Sequence, residues 1–368
     1  MLSMILLLIQ IWFFISVFLL FMVVINLLRY AFLQHKITSC QSSYRDSKHT
    51  HISIIIPVRD EEDTIFACLE SIKNVKGEIV VINDGSTDKT LSEIKRFHAK
   101  YPEVSILTHS VQKPQGWIGK NYACAMGAKY AKYDTYCFID ADVRANADFL
   151  NSCALHMCES KTGFLSIFPK QLCGNLWSHF YSSMLNWFLL AFYPSFFQWM
   201  GFRILRIANG QCILIDKKVY GFVNHTHVKN SQIEDIDLAK LAASKSVKRD
   251  VVYSENVKCQ MYATATEALA GFSRNFRRIS GLPPALFRIW LHLYSFFFLA
   301  PLALAFFHKP FLIIVLLFVL TWSLVMSTSD KPYMGVFYPV YVCSVFICGI
   351  LGLQKEKRGE VVWKGRKL

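Results

Sequence analysis

The sequence predicts an α/β domain built on a mainly parallel mixed sheet, set between N-terminal and C-terminal transmembrane helices. Three observations predict it: apolar residues concentrate at the two ends of the 368-residue chain, apolar β-rich runs alternate with helical patterns between those ends, and polar motifs fall where the runs finish. The composition agrees. With 53% apolar and 18% charged residues, the chain is neither disordered nor an ordinary soluble enzyme.

Met4 to Leu28 contains no charged residue, and a helix of that length crosses a hydrocarbon core of about 30 Å. Residues 1–28 are therefore expected as a transmembrane helix. A cleaved signal peptide fits less well, because no basic segment precedes the run and no small-x-small site follows it. Arg29, His35, Lys36, Arg45 and Lys48 make residues 29–51 a basic linker, which the positive-inside rule places in the cytoplasm. The net charge of +14, from 40 Lys and Arg against 26 Asp and Glu, then suits anionic membrane lipids, at about 1 kcal/mol per basic residue near the surface. No basic motif interleaved with aromatics points to nucleic acid. Eleven cysteines, an odd number without a CxxC pair, indicate neither a disulfide framework nor a zinc site and fit a reducing compartment.

The central domain is expected over residues 52–280. Strands are predicted at Ile52 to Pro57, Glu78 to Asn83, Val104 to Thr108, Thr135 to Asp140, Phe164 to Phe168 and Cys212 to Ile215. Helices fall at Thr64 to Asn74, Asp88 to Tyr101, Lys120 to Lys132 and Ala147 to Ser160. Alternation of this kind builds a parallel sheet covered on both faces, with ligands beyond the carboxyl ends of the strands. Residues 176–202, aromatic and carrying Trp177, Trp187 and Trp199, are expected as an interfacial or re-entrant segment, or else as a buried helix pair. Leu286 to Phe307, Phe311 to Met326 and Gly335 to Leu353 form the C-terminal membrane helices of residues 285–353. A basic tail, residues 354–368, follows and belongs in the cytoplasm. Three full crossings would leave that tail outside, so one segment is expected to be interfacial or re-entrant.

Four motifs occur in order: Pro57 to Glu62 after the first strand, Asn83 to Asp88 after the second, Asp140-Ala141-Asp142 after the fourth, and Glu234-Asp235 beyond. Each alone has an ordinary account: Ser86 and Thr87 as helix caps, Asp140 and Asp142 as solvated turn carboxylates, Glu234 and Asp235 as acids at a positive helix end. Order and placement together resemble the family 2 inverting glycosyltransferases. The likeness covers Ile52 to Arg278 and implies the GT-A nucleotide-sugar-binding fold. It assigns Pro57, Arg59, Glu61 and Asp84 to the nucleotide of a UDP-sugar donor. A carboxylate at Asp84 can accept the imino N–H of uracil, a donor that cytosine lacks. Gly116 to Lys120 resembles the family's glycine-rich segment and would bring Lys120 to the base or the diphosphate. Asp140-Ala141-Asp142 resembles the DXD motif, implying a divalent cation, Mg or Mn, on Asp142 and Asp140, with Asp140 also at the ribose; alternation along an extended segment would put both carboxylates on one side. In the acidic pair the resemblance makes Asp235 the catalytic base, with Glu234 orienting it or touching the donor sugar. It also places Asn209 and Gln211 beside that sugar and the acceptor. Asp84, Asp142 and Asp235 are thus expected at one cleft.

The QxxRW box of processive family members is missing, and the basic segment Gly271 to Ile279 lacks a tryptophan after its arginines. Transfer of one sugar is expected. The layout, with the tail Glu360 to Arg366, is also similar to family members that glycosylate carotenoid acids, hopanoids and ceramide. This implies a lipophilic acceptor drawn from the bilayer, a C30 carotenoid acid first, with glucose as the sugar. Another lipid acceptor, or a catalytically silent membrane scaffold, is the alternative.

Overall fold

The computed structural model describes residues 2–40, 51–172, 176–192, 207–260, 262, 264–359, 362–363 and 366–367. It divides into two compact units, Tyr30–Lys170 with Met200–Gln260, and Met1–Arg29 with Gln171–Trp199 and Met261–Leu368. The expected Arg45 and Lys48, Trp199 and most of the tail motif lie outside the described residues.

The first unit is the α/β domain. Its sheet uses β1 (Ile52–Val58), β2 (Gly77–Asn83), β3 (Ile106–Ser110), β4 (Thr135–Ile139), β5 (Val143–Ala145), β6 (Phe164–Gln171), β7 (Cys212–Asp216) and β8 (Arg249–Cys259). The order across it is β3-β2-β1-β4-β7-β6-β8-β5. β3, β2, β1 and β4 pair in parallel, with Ile54 opposite both Ile79 and Cys137. β7 runs antiparallel to β4 and β6, and β5 antiparallel to β8, where Val143 faces Cys259. The sheet is mixed, and its antiparallel half is broader than the sequence conveys, since β5 and β8 were not foreseen. Strand order reverses between β1 and β4, which opens a crevice at their carboxyl ends. Pro57 belongs to one of those ends and Asp140 follows the other.

Chemistry at the helix ends explains the local structure. α2 (Ile65–Ile72) buries Ile65, Cys68, Leu69 and Ile72, a helical stripe. α5 (Ala147–Ser160) starts where the Asn146 side chain accepts from Phe149 N and stops at Lys161 in the left-handed region. α3 (Thr90–Lys100) begins after Lys89, so Ser86 and Thr87 do not cap it. α4 (Gly119–Tyr130) lies against β1 and β2, burying Ala123, Cys124 and Gly127. Short α7 (Lys217–Tyr220) and α8 (Glu234–Ser244) complete the layer, and Ile55, Val80, Phe138, Ile213 and Leu238 share its core.

The other unit is helical. α1 (Leu2–Ser39) is one helix, so the expected linker is helical as far as Ser39. α6 (Leu176–Trp187) continues into a π turn over Phe188–Phe192. α9 (Ala265–Ser280), α10 (Pro284–Leu304), α11 (Pro310–Ser327) and α12 (Tyr338–Arg358) follow. Along α10, Phe287, Leu291, Tyr294 and Phe298 are buried while Leu286, Ile289, Leu293 and Phe296 are exposed, so both faces are apolar. That pattern is compatible with a helix that faces lipid. Among the described residues, four helices are long and apolar enough to cross a membrane. α6 packs against α9, α11 and α12. Trp187, fully buried, stacks on Trp322 at 4.1 Å, and Trp322 on Tyr341 at 4.8 Å. The basic segment is also committed: Arg277 donates to both carboxylate oxygens of Glu356 on α12. The ten cysteines among the described residues are all free.

A Cβ on Gly127 would lie 2.4 Å from Ile55 Cγ2, so this glycine sets how closely α4 approaches the sheet. Gly127→Ala should cost about 1–3 kcal/mol by overpacking. Thermal denaturation of the full chain in detergent checks this, with an unchanged midpoint as the contrary result.

Candidate active site

The loops after β1 and β2 are built as one object. Asp60 takes φ 51, a left-handed conformation tolerated by aspartate. Its N–H donates to Ser86 Oγ at 3.1 Å, and its carboxylate accepts from Thr87 N–H at 2.8 Å. Glu61 N–H donates to Thr90 Oγ1 at 2.8 Å, Glu62 N–H to Asp88 Oδ2 at 3.0 Å, and Lys89 N–H to Glu62 Oε2 at 2.9 Å. Ser86 and Thr87 therefore lock two loops together. Hydrogen bonds from Thr90 and Glu62 outweigh the burial of Asp88 and hold its carboxyl below the usual range. Within this frame Arg59 Nη1 donates to Asp84 O at 2.6 Å and lies 3.8 Å from Asp84 Oδ2. The two expected nucleotide residues are brought together, and Asp84 is only 4% exposed.

At the neighbouring strand end, Lys120 at the start of α4 reaches Asp140 Oδ1 at 2.8 Å, Asp140 Oδ2 at 3.0 Å and Glu234 Oε1 at 2.9 Å. Burial opposes charge on this ammonium, yet Asp140 and Glu234 together lift its pKa well above the usual lysine value. Asn121 beside it donates to Val228 O at 2.8 Å and Ser231 O at 2.9 Å, and Ile118 N–H to Lys229 O at 2.8 Å. These bonds fasten the Gly116 to Lys120 segment to the loop that enters α8. Pro57, Lys120, Asp140, Gly210, His225 and Glu234 line one cavity. His225 was not foreseen: its Nδ1 lies 2.9 Å from Tyr220 Oη, and burial, helped by Lys120, drops its pKa to about 3. Nothing in the local sequence marks it, because its partners come from the fold.

Asp140 and Asp142 sit in a tight turn, not in the extended segment expected, with Val143 N–H donating to Asp140 O at 3.1 Å. The turn separates their environments. Asp140 spends both oxygens on Lys120, whereas Asp142 Oδ1 is buried without a hydrogen-bond partner. Burial, then the charges of Asp140 and Glu61, push the Asp142 carboxyl up to about 7. One carboxylate oxygen without a hydrogen-bond partner fits a hard cation that takes most of its ligands from phosphate and water. Among the described residues no group of three or more His, Cys, Asp or Glu could hold a metal ion by itself.

Asp235 is held by backbone alone: Gly210 N–H donates to Oδ2 and Ile236 N–H to Oδ1, each at 2.8 Å. Burial, then Glu234, raises its carboxyl to about 7. A Cβ on Gly210 would come within 3.3 Å of Asp235 Cβ, so glycine permits this approach. Asn209 Nδ2 donates to Gln211 Oε1 at 3.1 Å, and Gln211 O accepts from Asp140 N–H at 3.1 Å. Asp84, Asp142 and Asp235 are not among the cavity's lining residues. Asp142 and Asp235 join the cluster at one remove, through the Asp140 turn and through Gly210, whereas Asp84 is bonded to Arg59 in the loops after β1 and β2.

Two carboxylates from distant parts of the chain on one lysine, beside interlocked loops at a strand-order reversal, suit a phosphorylated donor and an acid or base. Residues 53–221 match the model of the family described as Glycosyl transferase family 2. The chain is 28% identical over 194 residues to the 4,4'-diaponeurosporenoate glycosyltransferase of Staphylococcus haemolyticus, covering 51% of this chain and 50% of that one. To the same-named protein of Staphylococcus aureus it is 29% identical over 209 residues, covering 54% and 53%. The chain spans about half the length of the curated relatives it matches. Among solved structures, a mannosyltransferase of Pyrobaculum calidifontis in complex with GDP-Man and Mn2+ matches over 92% of this chain and 99% of that one, with 13% identity and a TM-score of 0.49. Residues 1–349 of S. aureus TarS, in complex with UDP-GlcNAc, match with 14% identity over 84% and 92%, at a TM-score of 0.43. The family 2 match ends before Glu234 and Asp235, which reach the domain's strand ends through Lys120 and Gly210.

Lys120→Met leaves Asp140 and Glu234 without their shared cation. The loss should be about 3 kcal/mol at pH 8 and smaller at pH 5, because burial already raises the Asp140 carboxyl and loss of the ammonium raises it further, so that its protonation relieves uncompensated charge. Melting of the variant and the unaltered chain at both pH values tests it, and a loss independent of pH would show that the ammonium does not compensate them.

Proposed function

We propose that this chain is a membrane-attached inverting glycosyltransferase that moves one sugar, glucose first, from a UDP-sugar to a lipophilic acceptor at the cytoplasmic face. The acceptor named first is a C30 carotenoid acid, after the relatives called 4,4'-diaponeurosporenoate glycosyltransferase. The observation that carries the reading is Lys120 joined to Asp140 and Glu234, which puts the DXD turn and the acidic pair at one place. The apolar helices supply the attachment, and with about 0.8 kcal/mol per buried CH₂ a long hydrocarbon acceptor stays in the bilayer.

In this reading Pro57, Arg59, Glu61 and Asp84 seat the nucleotide. Lys120 stands near the diphosphate, with Asp140 between it and the ribose. Asp142 holds the divalent cation, which when bound offsets the charge growing on the departing UDP. Asn209 and Gln211 face the donor sugar. The acceptor oxygen attacks the anomeric carbon from the side opposite UDP, its electron pair forms the new C–O bond, and the old C–O bond's pair leaves with UDP, so configuration inverts. Asp235, gripped by two backbone N–H groups, takes the acceptor's proton where there is one.

A second reading keeps this chemistry with a lipid alcohol, and the Asp235 carboxyl near pH 7 favours it, because a base titrating at working pH has an alcohol proton to remove. A carboxylic acid acceptor is already ionised, since such groups titrate near about pH 4. The two readings have opposite slopes. With an alcohol, kcat/KM rises as pH increases through about 7 and Asp235 ionises. With an acid, it falls over the same interval, because ionised Asp235 repels the acceptor carboxylate, and Asp235→Asn then retains activity that an alcohol-using enzyme would lose.

Radiolabelled UDP-glucose with membrane extracts, followed by mass spectrometry of the labelled lipid, tests the whole. Asp142→Ala should reduce transfer at least a hundredfold. Undiminished transfer in that variant would remove the proposed catalytic role of the DXD turn.

A further inference from the structure

α9 carries three arginines, Arg274, Arg277 and Arg278, and α12 offers them one acid, Glu356. Arg277 is fully committed, with Nε and Nη2 on the two Glu356 oxygens and Nη1 donating to Leu282 O at 3.0 Å. Arg278 Nε lies 3.5 Å from Oε1 of the same carboxylate, and its Nη1 is buried with no hydrogen-bond partner. One carboxylate thus faces two guanidinium groups. Arg274 is half-buried and, among the described residues, makes no hydrogen bond or ion pair. Residues four apart share a helix face, so Arg274 and Arg278 stand side by side, and like charges in that arrangement cost stability when nothing lies between them. A Cβ on Gly271 would strike the Tyr262 hydroxyl, so this glycine, one turn before Arg274, lets a tyrosine O–H rest on α9 beside the pair.

We infer that Arg274, with Arg278 one turn on, forms a site for the oxyanion head of a lipid, a carboxylate or a phosphate. Helix-end electrostatics does not account for the pair: Arg277 and Arg278 lie in the last turn of α9, where cations complement the dipole, but Arg274 lies outside that turn. A guanidinium fork matches two oxygens of a carboxylate or a phosphate, and an anion between the two arginines replaces their repulsion with charge-assisted hydrogen bonds. The lipid part follows from the surroundings. Ile279, directly after Arg278, is exposed, and α10 continues with exposed Leu286, Ile289 and Leu293. Charge and exposed apolar surface therefore adjoin along the chain, which suits an amphiphile with an anionic head. Two sources have this chemistry, an acidic acceptor and a membrane phospholipid. The first rests on the proposed carotenoid acid, and the second does not.

The test compares cis-parinaric acid, a fluorescent polyene carboxylate, with its methyl ester on the full chain in a neutral detergent, read by energy transfer from tryptophan. The unaltered chain should bind the acid at least about tenfold more tightly than the ester. Arg274→Gln should cut that preference to within about threefold and leave ester binding as it was. Arg274→Lys, which keeps the charge without the fork, should fall between, and it serves in place of glutamine if that variant does not fold. Arg288→Gln, at an exposed arginine of α10, should change neither ligand. Equal binding of acid and ester by the unaltered chain overturns the inference, as does a preference that both Arg274 variants leave intact. Equal weakening of acid and ester by Arg274→Gln also overturns it, since the arginine would then serve structure alone. Competition separates the sources. Displacement of parinaric acid by dioleoyl phosphatidic acid, but not by dioleoylglycerol, shows that the site takes phosphate heads, and no displacement reserves it for carboxylates and so for the acceptor. If the labelled lipid of the transfer assay is an alcohol while the preference for the acid persists, the carotenoid acid reading fails and the site stands.

Discussion

The ammonium of Lys120 is the constraint on which the candidate site depends. Asp140 and Glu234 come from different segments and, without a cation between them, would repel each other. One lysine at the first turn of α4 holds both, and its helix cannot move independently because Gly127 seats it on Ile55. The Asn121 and Ile118 bonds then fix the loop that delivers Glu234 and Asp235. Sheet, helix and acidic pair are thereby one mechanical unit, so a packing change at Gly127 and a charge change at Lys120 reach the same carboxylates by different routes.

The two halves of the sheet contribute differently. The parallel half offers carboxyl ends where interlocked loops present backbone and the Arg59–Asp84 pair. The antiparallel half reaches the same place from the opposite direction: β7 starts there, so Asn209 to Gln211 precede it and supply the Gly210 N–H that grips Asp235. A purely parallel sheet would put helix starts at that edge and no approaching strand. The antiparallel strand is what lets the Asn209 to Gln211 segment and an acid from α8 touch.

Much of this is legible in the sequence because it is local. Runs such as Ile52 to Pro57 and Glu78 to Asn83 carry their own strand signal, and the motifs follow them directly. What escaped is set by partners far along the chain. Ser86 and Thr87 look like helix caps in a window of a few residues, and only the approach of Asp60 gives them another use. β5 has three residues, too few for a periodic signal, and β8 earns its place by pairing rather than by alternation. Arg277 resembles a free basic residue until Glu356 on a later helix meets it. His225 has no spacing that betrays its neighbours.

The turn at Asp140 to Asp142 has a consequence for charge. If both carboxylates were exposed alike, they would form a doubly negative pocket that repels the phosphates of a donor. Pairing Asp140 with Lys120 cancels one charge inside the protein and leaves Asp142 as a single carboxylate with one unpartnered oxygen. Such a site is a weak cation trap alone, which is consistent with no self-sufficient metal-holding group among the described residues. Affinity would then arise only when phosphate oxygens complete the shell, so cation and nucleotide would stabilise each other. Burial and the charges of Asp140 and Glu61 push the Asp142 carboxyl up to about 7, so a cation bound there would displace a proton, and its binding would strengthen as pH rises toward neutrality.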